Sequence, residues 1–439
     1  MNARYSPERR TALVLCGTGA HGAYHAGVLR ALHEAGVKID VMAGQGVGAA
    51  GAALAAVDGA SRLWDEKGVW RGATARTLYG WKWPLRLAGW LACLLVAVLV
   101  MPLLLAVLDR DVDPLPWLVA AALILAAVLL AIVAGGRVMD RRVPARRSVD
   151  GGPWWQVLGA PLDAERARQA FAGALWELLH GGSQAAPPPH AAIGRRYAEV
   201  LAESVGQPGF RELMIVTTDL DSRRDVVAAL LCEPFRRGFA APRPGEERRS
   251  EAIDLAGTDR DHAFDVIAAA LTPPVACDPH LVTFGIDGYW RGETHRLCDR
   301  PGACVRLVEE LADAGVTQAI IVSAVAAPCV PHRLAAVRLE PRHRLSEFLA
   351  AAESAALRDA RAMARFRFDA VYVIGPAHNP IGAFDLAGAY DKASDRRPDL
   401  TELMNRAYED TYREFIEPVV AASGEQLAHA GSRGVDLPS

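Results

Sequence analysis

Cysteine is sparse and ungrouped in this chain. The seven residues, Cys16, Cys93, Cys232, Cys277, Cys298, Cys304 and Cys329, are odd in number and scattered over 439 positions with no C-x-x-C pair. That spacing argues against structural zinc and against a disulfide framework, and it reads as free thiols in a reducing compartment. Charge of one sign is lacking too. The formal net charge is −3, so no field over the whole surface recruits nucleic acid. Internal repeats and low-complexity tracts are absent. The start, MNARYSPERR, is polar and basic, and the apolar TALVLCG after it is too short for a secretory leader and has no small-residue cleavage site.

Long apolar runs, by contrast, are present. Leu87 to Leu108 and Trp117 to Gly136 hold 22 and 20 residues without a charge. A bilayer core of about 30 Å needs roughly 20 apolar residues of helix, so both runs qualify as spans. Pro102 lies inside the first, which a membrane helix tolerates. Arg71, Arg76, Lys82 and Arg86 precede the pair, and Arg137, Arg141, Arg142, Arg146 and Arg147 follow it, whereas the connecting DRDVDPLP is acidic. Basic flanks stay on the cytoplasmic side. The expectation is an integral membrane protein with two transmembrane helices, its globular part cytoplasmic and its basic flanks against anionic headgroups.

The remainder has the pattern of an α/β domain. Ala12–Cys16 reads as a buried strand, Gly17–Gly22 as a glycine loop, and Tyr24–Ala35 as a helix closed by Gly36. Asp40–Ala43, Gly44–Gly48 and Ala49–Val57 repeat strand, glycine turn and helix. A doubled strand–turn–helix argues for a parallel sheet. Further strands are expected at Arg211–Asp219, Thr317–Ala324 and Ala370–Ile374, and further helices at Val266–Leu271 and Leu400–Val420. The chain divides at this level into a first α/β part (1–84), the hairpin (85–136), a basic and helical segment (137–210), a second α/β part (211–385) and a terminal helix and tail (386–439).

Three motifs carry chemistry. GTGAHG at 17–22 aims backbone N–H groups and a helix N-terminus at a negative charge. GQGVG at 44–48 stands where a nucleophile elbow, G-x-S-x-G, would expose a side chain above the sheet. Asp287-Gly288, in FGIDGYW, puts a carboxylate on a turn. Together, the segment from Leu13 to Leu54, the strand ending in Thr218-Asp219, the segment AAALTP at 268–273 and Asp287-Gly288-Tyr289 resemble the patatin-like phospholipases. The resemblance covers less than half of the chain and is most specific in its opening block.

It implies a three-layer fold, a mostly parallel sheet flanked by helices, here with an inserted transmembrane hairpin. It also implies a serine–aspartate dyad that hydrolyses lipid acyl esters without a cofactor, on membrane lipids as partners. Carried over, the oxyanion loop is Gly17, Thr18, Gly19, Ala20, His21 and Gly22. The elbow is Gly44, Gln45, Val47 and Gly48 around Gly46, and the base is Asp287. Gly46 occupies the nucleophile position and has no side chain. Thr18 replaces a loop glycine and His21 the loop arginine. The chain reads as a hydrolase scaffold without its nucleophile, or as a non-catalytic lipid-binding or membrane scaffold. Neither Cys16, at the end of a buried strand, nor Ser61, about four helical turns beyond the elbow, replaces the missing oxygen.

Two rival readings remain. His21 and His25 are four apart, as metal ligands on a helix can be, but no third ligand is tied to them and no metal is expected. GTGAHG also fits a dinucleotide-binding fingerprint with Asp40 as the ribose-binding acid, although Asp40 opens the second strand rather than closing it. No nucleic acid is expected as a partner, and the sequence names no protein partner.

Overall fold

The computed structural model describes residues 5–107, 115–140, 159–180, 187–241, 249–286, 290–326 and 340–421. Two compact units result: Met1–Tyr79, Ala164–Pro274 and Pro279–Ser439 form the first, and Gly80–Asp163 with Val275–Asp278 the second.

The first unit is built on a mostly parallel sheet. TALVLCG is apolar on both faces, so as β1 (Thr11–Gly17) it is buried throughout and sits centrally. It pairs in parallel with β2 (Val41–Gly46) on one side and β10 (Gln318–Ser323) on the other. Outward from these lie β5 (Glu212–Asp219) beside β2 and β11 (Ala370–Ile374) beside β10, both also parallel. Two further strands extend the sheet past β5. β6 (Arg224–Leu230) runs antiparallel to it, and β7 (Ser250–Asp254) parallel to β6. A hairpin of β8 (His280–Thr283) and β9 (Thr294–Cys298) attaches to the far end of β5.

Alternation along the strands gives the layers. Ala12, Val14 and Cys16 of β1, with Val41 and Ala43 of β2, pack with Leu307, Val308 and Leu311 of α10 (Cys304–Asp313) and Ala356, Ala360 and Ala364 of α11 (Pro341–Arg367). The opposite face meets α2 (Val47–Ala56), α1 (His21–Glu34) beside it, and α9 (Ala263–Ala270). Outside these lie α3 (Ser61–Trp64), α6 (Glu165–Leu179), α7 (His190–Ser204), the short α8 (Phe235–Ala240) and α12 (Leu400–Thr411). Helix α1 ends as its Gly36 dictates. At φ 64° the Gly36 N–H reaches the His33 carbonyl and the Val37 N–H the Leu32 carbonyl, a Schellman closure. Helix α12 starts at Asp399, whose carboxylate accepts from the N–H groups of Thr401 and Glu402.

Several element bounds differ from the sequence reading. α1 begins at His21, so the last residues of the glycine loop are already helical. α9 begins three residues before the expected Val266. The terminal helix is α-helical only to Thr411. From Tyr412 to Ala421 it widens to a π-helix that carries Pro418, a residue with no N–H to donate.

The second unit holds α4 (Trp83–Val107) and α5 (Leu115–Asp140), which pack on each other, with β3 (Gly80–Trp81) and β4 (Leu162–Asp163) paired antiparallel at their base. Pro102 sits within α4 without ending it. Lys82 and Asp278 form an ion pair there, and the Leu162 N–H reaches the Ala276 carbonyl at 2.8 Å. Trp90, Leu94 and Val96 of α4, and Leu118, Leu123 and Leu130 of α5, are exposed. Among the described residues one helical stretch, Trp83–Met101, is long and apolar enough to cross a membrane, with a mean hydropathy of 2.1, while the apolar stretch Leu115–Val128 is shorter. Arg137 lies on the last turns of α5, whereas Arg141, Arg142, Arg146 and Arg147 lie outside the described residues, as do 109–114 of the connecting loop.

Candidate functional site

Both glycine turns leave the sheet side by side. The parallel register of β1 and β2 sets Cys16 opposite Gln45 and Gly17 opposite Gly46. The carboxyl ends of parallel strands are where α/β folds place ligands. Gly46 has φ 61° and ψ −134°, and the chain turns there directly into α2 at Val47. These are angles that an L side chain rarely adopts. A Cβ built on Gly46 would overlap the Gly17 carbonyl oxygen and stand 2.9 Å from Asp299 Oδ2.

Asp299 is therefore the carboxylate at the elbow. Its place follows from strand pairing. The register of β2 on β5 ends at Gln45 opposite Val216 because the chain turns away at Gly46. β5 continues, and β9 takes up its continuation with Cys298 opposite Thr218 and Leu297 opposite Asp219. Asp299 is the next residue, its N–H bonded to the Thr272 carbonyl at 3.0 Å. Asp287, Gly288 and Tyr289, expected from the sequence to supply the base, lie outside the described residues; the described carboxylate beside Gly46 is Asp299. Sequence reasoning passed over it because it is followed by Arg300-Pro301 and not by glycine. The available signal was the alternating THRLC strand that ends on it.

Asp299 is fully buried and answered by neutral donors alone. Gln45 Nε2 donates to Oδ1 at 2.6 Å and Thr18 Oγ1 to Oδ2 at 3.1 Å. Burial pushes its pKa up to about 7, a rise that these two hydrogen bonds only partly offset. Thr18 and Gln45, one from each glycine motif, thus both direct their side chains at this one carboxylate.

The glycine loop is engaged as well. At Gly19, φ 59°, a Cβ would overlap the Ala383 carbonyl oxygen, and that same oxygen accepts the Ala20 N–H at 2.8 Å. The His21 N–H reaches the Thr18 carbonyl at 3.3 Å and the Gly22 N–H the Gly19 carbonyl at 3.1 Å. The His21 ring is buried, with Nδ1 3.5 Å from Glu353 Oε2, while Ser323 Oγ donates to Glu353 Oε1 at 3.1 Å. His25 turns the other way, its Nε2 2.9 Å from the Cys16 carbonyl oxygen, and burial lowers its pKa to about 4.

The rival readings can be placed on the same geometry. His21 and His25 serve different neighbours. Among the described residues the group whose ligand atoms converge is Asp219, Asp221 and His295. There Asp219 Oδ2 is hydrogen-bonded to His295 Nδ1 at 2.6 Å, and Asp221 holds Arg296. Asp40 accepts the Thr11 N–H at 2.8 Å, at the start of β1. The glycine loop follows the other end of that strand, about 20 Å away at strand rise, so Asp40 does not reach a nucleotide on the loop. The Cys16 thiol is buried beside Cys304, which with burial holds its pKa well above the usual value, the opposite of an activated thiolate. Ser61 is not on a continuation of α2. The helix stops at Ala56, and Ser61 opens the separate α3.

Comparison with known proteins sets a family resemblance beside this geometry. A crystal structure of VipD from Legionella pneumophila aligns with 94% of this chain and 69% of its own, at 14% identity and a TM-score of 0.31. A crystal structure of the type III effector protein ExoU aligns with 71% of this chain and 62% of its own, at 16% identity and a TM-score of 0.18. A comparison with curated proteins returns no match. Residues 13–112 match the family model described as patatin-like phospholipase. That stretch, under a quarter of the chain, contains β1, the Gly17–Gly22 loop, α1, β2 and the Gly46 turn, and it is in these elements that the chain is similar to the patatin-like phospholipases.

Proposed function

We propose that this protein is a membrane-anchored lipid-binding scaffold built on an acyl-hydrolase fold, with its hydrolytic site closed. The observation that carries the reading is the elbow. No oxygen stands at position 46, and the space a side chain needs there is taken by the Gly17 carbonyl and by Asp299.

In the family the serine attacks an acyl carbonyl, the aspartate takes its proton, and loop N–H groups hold the oxyanion. Asp299 has a position suited to such a base, while Asp287 lies outside the described residues. Yet both its oxygens are occupied by Gln45 and Thr18, and a pKa of about 7 leaves much of it protonated near neutral pH. Of the loop donors, Ala20 N–H is committed to Ala383. Attack, proton transfer and oxyanion binding are thus each obstructed by a different residue. The membrane part of the proposal rests on the exposed apolar surfaces of α4 and α5 and on the basic residues flanking them. The lipid met by such a scaffold would be presented from the cytoplasmic leaflet.

Release of p-nitrophenol from p-nitrophenyl butyrate tests the closed site. The expected result is no turnover above an Asp299→Ala control, and none after Gly46→Ser. If Gly46→Ser turns over and Gly46→Ser with Asp299→Ala does not, the protein is a complete hydrolase lacking one side chain and the scaffold reading fails. Labelling of Asp113→Cys with an impermeant thiol reagent from the outer face tests the hairpin. Modification only after the inner face is opened would overturn it.

A further inference from the structure

The chain as a whole is slightly acidic, yet five guanidinium groups gather in one place. Arg223, Arg224, Arg249, Arg300 and Arg306 line a hollow of about 400 Å³ beside the far end of β5. They come from separate parts of the chain: the β5–β6 turn, the start of β6, the approach to β7, the residue after Asp299, and α10. Their convergence is made by the fold and not by a run of basic sequence.

A buried carboxylate organises the centre. Asp225 accepts from Thr218 Oγ1 at 2.8 Å and from Arg300, through Nε at 3.1 Å and through Nη2, while Arg306 Nε stands 3.8 Å away. Two guanidinium planes from different elements are thereby fixed against one anchor. Arg224 pairs with Glu251, and Arg249 and Arg306 share Glu309. Three carboxylates, Asp225, Glu251 and Glu309, thus answer four arginines. Asp219 also lines the hollow and is hydrogen-bonded to His295. Arg223 has no acidic partner among the described residues, and it holds φ 58°, a left-handed conformation that costs a non-glycine residue energy. A strained arginine on a turn, added to four that share three carboxylates, with Asp219 as a fourth carboxylate, leaves a small local positive surplus among the described residues.

Guanidinium forks match the oxygens of a phosphate, and neighbouring forks bind it more strongly when their angles are fixed in advance. We propose that this hollow binds a phosphomonoester, either free in solution or as the headgroup of a lipid. Its lining includes neither Gly46 nor Asp299, and the proposal stands whether or not the elbow is closed.

The full chain in detergent, titrated calorimetrically with inorganic phosphate and with glycerol 3-phosphate, reads the free form. Co-sedimentation with phosphatidylcholine vesicles, with and without phosphatidic acid, reads the lipid form, since contact through the apolar helices is common to both vesicle types. Arg223→Glu and Arg249→Glu serve as variants because both side chains are exposed and remote from the core, and melting temperatures equal to the parent's show that they fold. Uptake of at least one form is expected, weakened about tenfold by either variant and further by salt. Binding of soluble phosphate identifies a free ligand, and binding confined to phosphatidic acid vesicles identifies a headgroup. No preference for phosphate in either assay, or variants that bind like the parent, would overturn the proposal.

Discussion

Asp299 and Asp225 are both buried carboxylates near the far end of β5, and the fold treats them differently. Asp299 receives two neutral side-chain donors, the Arg300 backbone and no cation, and its pKa rises to about 7. Asp225 receives two arginines and a threonine and fixes those arginines in position. Burial with dipoles alone drives a carboxylate toward its neutral form, whereas guanidinium partners turn a buried carboxylate into a strut. A site made in the first way is self-contained. One made in the second way leaves guanidinium N–H groups directed outward.

The largest expected effect separates the two through pH. Asp299 binds its proton more tightly in the folded chain, at about 7, than in the unfolded chain, at 3.8. Its contribution to stability is therefore fully present below pH 4 and is lost as pH rises through 7. About three pKa units correspond to roughly 4 kcal/mol. Urea unfolding at several pH values should show the parent losing that much relative to Asp299→Asn. Parallel curves for the two proteins would mean that Asp299 is not the isolated acid described.

Gly46→Ser comes next. Backbone strain at φ 61° costs of order 1–3 kcal/mol, with the overlap on the Gly17 carbonyl added to it. A variant as stable as the parent in urea would show that the elbow opens readily. Thr18→Val removes one of the two donors to Asp299 and should cost about 1–2 kcal/mol. It should also move the pH midpoint upward, because the lost bond favours the ionised form; a midpoint that stays or falls would contradict the pairing. The smallest effect is expected at Asp225. Arg300 is half exposed and Arg306 remains nearby, so Arg300→Gln should change stability by about 1 kcal/mol or less. A loss as large as that of Gly46→Ser would place Asp225 with the self-contained sites.

Local signals made half of this legible in the sequence. The strand–glycine–helix repeat needs only neighbouring residues, so β1, β2 and their turns were readable, and the parallel pairing that sets Gly17 beside Gly46 followed from them. The absence of an oxygen at Gly46 was equally plain. Asp299 was not legible, because its position depends on β9 adding antiparallel to β5 beyond the point where β2 departs. That is a pairing between distant segments with no turn motif to announce it. The Ala383 carbonyl in the glycine loop escaped for the same reason, being brought there by the chain after β11. The arginine hollow could not be read either, since its members are scattered and individually resemble solvated surface charge.

Helix α1 packs on α12 so closely that a Cβ on Gly27 would overlap the Met404 carbonyl, and Tyr24 donates its hydroxyl to Asp410 at 3.0 Å. β1, just before α1, likewise needs β10 on its second edge. During synthesis these partners leave the ribosome long after the glycine loop and the elbow have emerged. The apolar helix α4 is exposed in between. The order of translation therefore brings out that apolar helix before the sheet can close, and a nascent chain stalled before α12 would present its glycine loop unformed.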